Sequence, residues 1–175
     1  MKNVPLLMMI ALCLCAAGLA GQAPAEKSSG SPLQPLAFLL GDWTSQGATE
    51  LGESEGLSSF AGELDGRIMV RRSSTEFISG RAAGTKHEDL LIIYPEGPAA
   101  GLRAIFFDGE GHVIHYLVSV AEPQTAVFDS DPAQPGPRYR LTHTVRDNSL
   151  ETKFEIALPG QTEYKTYISG TSIKK

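Results

Sequence analysis

Few residues in this chain have the types and spacing that chemistry requires. Gly52-Glu53-Ser54-Glu55-Gly56 spells G-x-S-x-G, the pattern of a nucleophile elbow. That motif works at a strand-to-helix turn beside an oxyanion hole. Here no helical segment follows, and two carboxylates flank Ser54 and would oppose a developing oxyanion. The segment reads as a hairpin turn. His112 and His115 form H-x-x-H, but a strand sends positions i and i+3 to opposite faces, so no shared metal is expected. Asp129-Ser130-Asp131 has calcium-like spacing, yet Pro132 follows and the later glutamate of a calcium loop is missing. It reads as a solvated loop. No phosphate-cradling or dinucleotide fingerprint is present, and the glycines cluster at turns. What remains is acid–base work by His115 or His143 with Glu76, since an imidazole–carboxylate pair titrates near neutrality.

Strand alternation decides which of these groups point inward. Over Arg138–Arg146 one face is Tyr139, Leu141, His143 and Val145; over Ser149–Ala157 one face is Leu150, Thr152, Phe154 and Ile156. Alternation of period two implies one buried and one wet face, which sends His143 and Thr152 inside. In Arg67–Phe77 the face that begins Ile68, Val70 continues into Arg72, Ser74 and Glu76, which would carry a charged pair into one end of the interior. Unpartnered, each such group would cost about 1–3 kcal/mol, more for a charge. Either His143 is a hydrogen-bonded core residue with Arg72 and Glu76 paired at a rim, or these groups line a lumen.

The elements that would hold them are strands. Leu33–Leu40, interrupted by Pro35, reads as one or two helical turns; ten strand-like segments then follow, from Trp43–Glu50 to Glu163–Ile173. Asp65-Gly66, Asp108-Gly109-Glu110-Gly111, Asp147-Asn148 and Pro159-Gly160 supply turn chemistry between them. No segment after Leu51 carries a helix-length apolar stripe. Hairpin-linked strands without a long crossover form an up-and-down meander. Closure would remove its two exposed edges; an open sandwich is the rival arrangement. The expected fold is all-β, a ten-stranded antiparallel closed barrel with a short N-terminal helix capping one end.

Length and composition agree: 175 residues suit one domain, and 18 Gly with 11 Pro suit strands and turns. Lys2 followed by the apolar run Leu6 to Leu19 reads as a signal peptide over residues 1–25, cleaved after Ala20 or Ala25. About 14 apolar residues fall short of the roughly 20 a membrane span needs. Cys13 and Cys15 make a lipoprotein anchor the alternative, although Leu12 and Leu14 stand where a lipobox wants a small residue. Residues 26–32 read as a polar tether and 33–175 as the barrel domain, exported to the periplasm or secreted. With the leader removed the domain has no cysteine, so no disulfide and no thiol nucleophile. The full chain's 20 acidic against 15 basic residues argue against nucleic acid or anionic lipid as partner.

Gly41-Asp42-Trp43, preceded by Leu36-Ala37-Phe38-Leu39-Leu40, resembles the opening of calycin-type barrels, in which a short helix closes one end and the indole packs across the base. The likeness continues through Asp65–Arg71 and His87–Pro95 and is densest at Phe106–Tyr116, covering Leu36 to Lys175. In order and spacing the chain is similar to a family of small exported bacterial proteins of unknown function, and more distantly resembles nitrobindin-type haem-binding barrels. The resemblance implies a ten-stranded barrel with an interior pocket. It departs where the haem-ligating histidine of the nitrobindin type would stand: Glu163–Ile173 contains none. No cofactor is carried over; haem through His143 or His115 is an alternative.

The expected function is binding of a small hydrophobic or amphipathic molecule in the lumen. Candidate lining residues are Phe106, His115, Tyr116, Tyr139, His143 and Phe154, with Arg72 and Glu76 as polar anchors and with Gly41 and Trp43 structural. The alternatives are an enzyme using a buried histidine as acid or base in the same pocket, and a packed interaction module with no lumen.

Overall fold

The computed structural model describes residues 31–49, 52–97, 101–122 and 124–175. The expected leader and most of the tether, residues 1–30, lie outside them. A 3-10 helix, Gln34–Leu39, precedes ten strands: β1 Gly41–Thr49, β2 Gly52–Glu63, β3 Ile68–Phe77, β4 Lys86–Pro95, β5 Leu102–Asp108, β6 Val113–Glu122, β7 Thr125–Ser130, β8 Arg138–Arg146, β9 Ser149–Ala157 and β10 Lys165–Lys174. Each pairs antiparallel with its neighbour in sequence, and β10 returns to β1 to close the barrel. The architecture is the closed, ten-stranded antiparallel barrel expected. Closure uses the pairs Trp43–Lys174 and Thr44–Ile173, at one end of both strands.

The helix lies across that same end. Leu36 and Leu39 are fully buried in the core, and Trp43 packs beside them. The indole Nε1–H donates to the Leu39 carbonyl at 3.0 Å, so the polar handle of a buried tryptophan is satisfied by the helix it covers. Gly41, between helix and β1, has φ +125°, and a Cβ there would come within 2.9 Å of Lys174 Cε. Its structural role follows from that left-handed corner. Pro35 at the start of the helix costs nothing, because the first-turn N–H groups lack intrahelical partners anyway.

Two expectations about local structure are corrected. Gly52–Gly56 is the first stretch of β2 and not a turn; Gly56 is hemmed in by Ser45 Oγ and Thr75 Oγ1 on the strands to either side. Asp129 and Ser130 belong to β7, where Asp129 ion-pairs with Arg140 at 2.7 Å and Ser130 Oγ accepts from the Tyr139 N–H. Strand β7 therefore runs on until both groups are paired, and only Asp131 lies in the loop. The Asp65-Gly66 turn is four residues long, Leu64 to Arg67, with Leu64, Asp65 and Gly66 all at positive φ and the Arg67 N–H bonded to the Glu63 carbonyl.

Candidate functional site

The phase of each strand sorts the predicted lining residues. On β8 and β9 the alternation places Tyr139, Leu141, His143, Leu150, Thr152 and Phe154 inside, as expected. On β6 His115 and Tyr116 are neighbours, and a pleated strand can turn only one of them inward. Tyr116 is buried, and Phe106 on β5 packs half-buried against the same core. His115 is exposed on the outer face, its backbone N–H bonded to Gln134 Oε1. It lines no lumen.

On β3 the expected phase is reversed. Met69 and Arg71 are the inward residues, with Met69 paired across to Ile93 and Arg71 lying between Phe60 and Leu91. Arg72 and Glu76 face outward and are exposed, and Arg72 pairs with Glu63 at 2.6 Å rather than with Glu76. They border two concavities of about 440 and 340 Å³ on the outer face of β1–β3, where Leu57 and Ser74 contribute to both. The physical reason is that Ile68, Met69 and Val70 are all apolar, so alternation along β3 alone does not tell its faces apart. What decides is the neighbour. Arg71 Nη2 donates to Asp89 Oδ2 at 3.2 Å and stands 3.1 Å from Oδ1, and Arg71 Nε donates to Ser58 Oγ at 3.3 Å. Buried charges persist when paired and hydrogen-bonded, and Arg71 meets that condition inside the barrel.

These side chains converge. His143 is 1% exposed, with the rings of Phe60 and Phe128 edge-on at 5.5 and 5.7 Å. Its Nδ1 lies 3.0 Å from Thr152 Oγ1 on the adjacent strand, while Nε2 is buried without a hydrogen-bond partner. Burial first, and the Arg71 charge second, hold this imidazole well below its ordinary value of 6.5, so it is neutral. Burial pushes the Tyr116 phenol above 10.0; Arg71 pulls it back, while Tyr139 and Asp89 add to the rise. One guanidinium thus influences both a histidine and a tyrosine on the far wall.

Toward the uncapped end the interior becomes aromatic and wetter. Tyr139 and Phe154 stack with centroids 5.8 Å apart and planes 9° from parallel, and Tyr167 meets Phe154 edge-on at 6.3 Å. Tyr167 sits where the β9–β10 register slips between Thr166 and Ile168. Such a bulge re-aims a side chain, and here Tyr167, 69% exposed, touches Phe154 from the solvent side.

The residues that sequence reasoning missed are Arg71, Asp89, Ser58 and Tyr167. Asp89 carried a signal, since it interrupts the apolar face His87, Asp89, Leu91, Ile93. The bulge at Tyr167 carried none. The imidazole of His143 is enclosed by Phe60 and Phe128, which a porphyrin at Nε2 would have to displace, and His115 lies outside the barrel. Comparison with protein-family models and with the curated proteins finds no match to this chain.

Proposed function

We propose that this protein is an exported barrel that binds a small, partly apolar molecule at the uncapped end of its interior. The apolar body of the ligand lies against Tyr139, Phe154 and Phe106, and its polar head is recognised by Arg71, Tyr116 and Asp89. The observation that carries this reading is the convergence of a buried ion pair, a buried phenol and an unpartnered imidazole nitrogen next to half-buried stacked aromatics. Ligand sites combine mostly apolar walls with a few convergent polar groups. Access follows from the seam: β1 and β10 are paired at the capped end, and β10 is exposed from Lys165 to Thr171.

Binding fits these residues better than catalysis. His143 is partnered by a hydroxyl rather than a carboxylate, and Glu76 stands on the outer face. Export to the periplasm or medium, and kinship with small exported barrels of the calycin type, belong to the same reading; the capping helix, Gly41 and Trp43 support it.

Titration with the amphipathic fluorophore 1-anilinonaphthalene-8-sulfonate tests the site. We expect saturable binding to the folded protein, weakened at least about tenfold, or about 1.4 kcal/mol, in Tyr139→Ala and in Arg71→Met. No saturable binding, or wild-type affinity in both variants, overturns the proposal and leaves a packed module.

A further inference from the structure

Hydrogen bonding inside the barrel is incomplete, and the groups left over restrict what the molecule proposed above can carry as its polar head. Arg71 spends Nε on Ser58 Oγ and Nη2 on Asp89 Oδ2. The other carboxylate oxygen, Asp89 Oδ1, stands 3.1 Å from the same Nη2 but takes no hydrogen bond, although it is buried. Tyr116 is 1% exposed, with its ring edge-on to Phe128, and its hydroxyl has no hydrogen-bond partner among the described residues. His143 Nε2 is a third buried atom without one. Native interiors seldom leave such groups unpaired, and each costs about 1–3 kcal/mol unless something fills it.

The three surround one guanidinium. The Arg71 charge reaches both the Tyr116 phenol and the His143 imidazole, and Asp89 acts on the same phenol. Charge and bond direction then narrow the head. Arg71 and Asp89 cancel, the imidazole is neutral, and the phenol, pushed up by burial, keeps its proton. A charged head would enter with no counter-charge left to meet it, and buried ions persist only when paired. Ionised Asp89 can only accept, so the head must donate to Oδ1. The Tyr116 hydroxyl has a proton to give, so the head must also accept.

We propose that the ligand's head is uncharged and of the carboxamide kind, its N–H donating to Asp89 Oδ1 and its carbonyl accepting from the Tyr116 hydroxyl. This rests on the binding reading above and adds the class of ligand to it. A carboxylate in the same place would face Oδ1 with a like charge, and a ketone has no donor to offer it.

Three probes with one naphthalene body test the head: 2-naphthamide, 2-acetonaphthone and 2-naphthoate, each titrated into the full chain and followed by fluorescence. The amide should bind at least about tenfold more tightly than either of the others. Replacing the ion pair as a unit, Arg71→Met with Asp89→Leu, should bring amide and ketone within about twofold of each other, because the acceptor that tells them apart is gone. Tyr116→Phe should weaken amide and ketone alike, by about five- to tenfold, because both lose the hydroxyl that their carbonyl meets. Naphthoate binding as tightly as the amide overturns the inference. So does a ketone that matches the amide in the wild type, which would mean that water fills these bonds. If either result comes with saturable binding of the anilinonaphthalene fluorophore, the binding site stands and only its ligand class falls. If neither that fluorophore nor any naphthalene binds, both fall.

Discussion

The two ends of the barrel solve burial in different ways. At the capped end Leu36, Leu39, Trp43, Ile93 and Leu150 are buried to 2% exposure or less, and the indole N–H is the polar group, satisfied at once by a helix carbonyl. Beyond that floor the interior holds Arg71, Asp89 and Ser58, which meet from three different strands, and Tyr139, whose ring stacks on Phe154. His143 stands at the boundary, with one nitrogen satisfied and the other not. The capped end spends its interior on stability. The uncapped end keeps polar groups that a purely apolar filling would dispense with, which is the expected cost of a site.

The sharpest way to break this comparison is to remove the floor. Trp43→Ala should destabilise the protein by about 3–5 kcal/mol in chemical denaturation, because it empties a packed site and unties the helix. A loss below about 1 kcal/mol would mean that the capped end is not the stability centre.

The next effect separates neighbours on β3. Arg71→Met strands the Asp89 carboxylate in the interior and should cost about 3 kcal/mol, while Arg71→Met combined with Asp89→Leu recovers most of it. Truncating Arg72, one residue further on, should change stability by less than about 0.5 kcal/mol, because its partner Glu63 is exposed too. Equal losses at the two arginines would put the phase of β3 in doubt.

A smaller effect depends on pH. The folded-state pKa of His143 lies below its unfolded value of 6.5, so the unfolded chain binds the extra proton first. The stability that depends on keeping this ring neutral is complete above 6.5 and falls with decreasing pH, by at most about 1.4 kcal/mol per unit, until the folded pKa is reached. Denaturation midpoints between pH 7 and pH 5 should therefore decline more steeply in the wild type than in His143→Phe. Parallel curves would show that His143 reaches water.

Much of the fold was legible because strands and turns are written locally. The ten segments and the inward faces of β8 and β9 follow from alternation within nine residues and from turn residues beside them. The site was half legible for the same reason. Tyr139, His143 and Phe154 lie on strands with one plainly polar face, whereas β3 and β4 are apolar on both faces near the capped end and conceal their phase. Gly52–Gly56 misled in the opposite sense: glycine suggested a turn, but at Gly56 it is a packing requirement imposed by Ser45 and Thr75.

Side-chain order along the chain determined by itself that this protein is a meander of ten antiparallel strands, because periodicity and turn chemistry act over short distances, whereas closure joins β1 to β10 from opposite ends of the domain. The tertiary structure alone decided which charges enter. Arg71 is 18 residues from Asp89 and 13 from Ser58, and an arginine is tolerated inside only where such partners meet it. That condition is set by the pairing of β2, β3 and β4 together, and no single strand contains it.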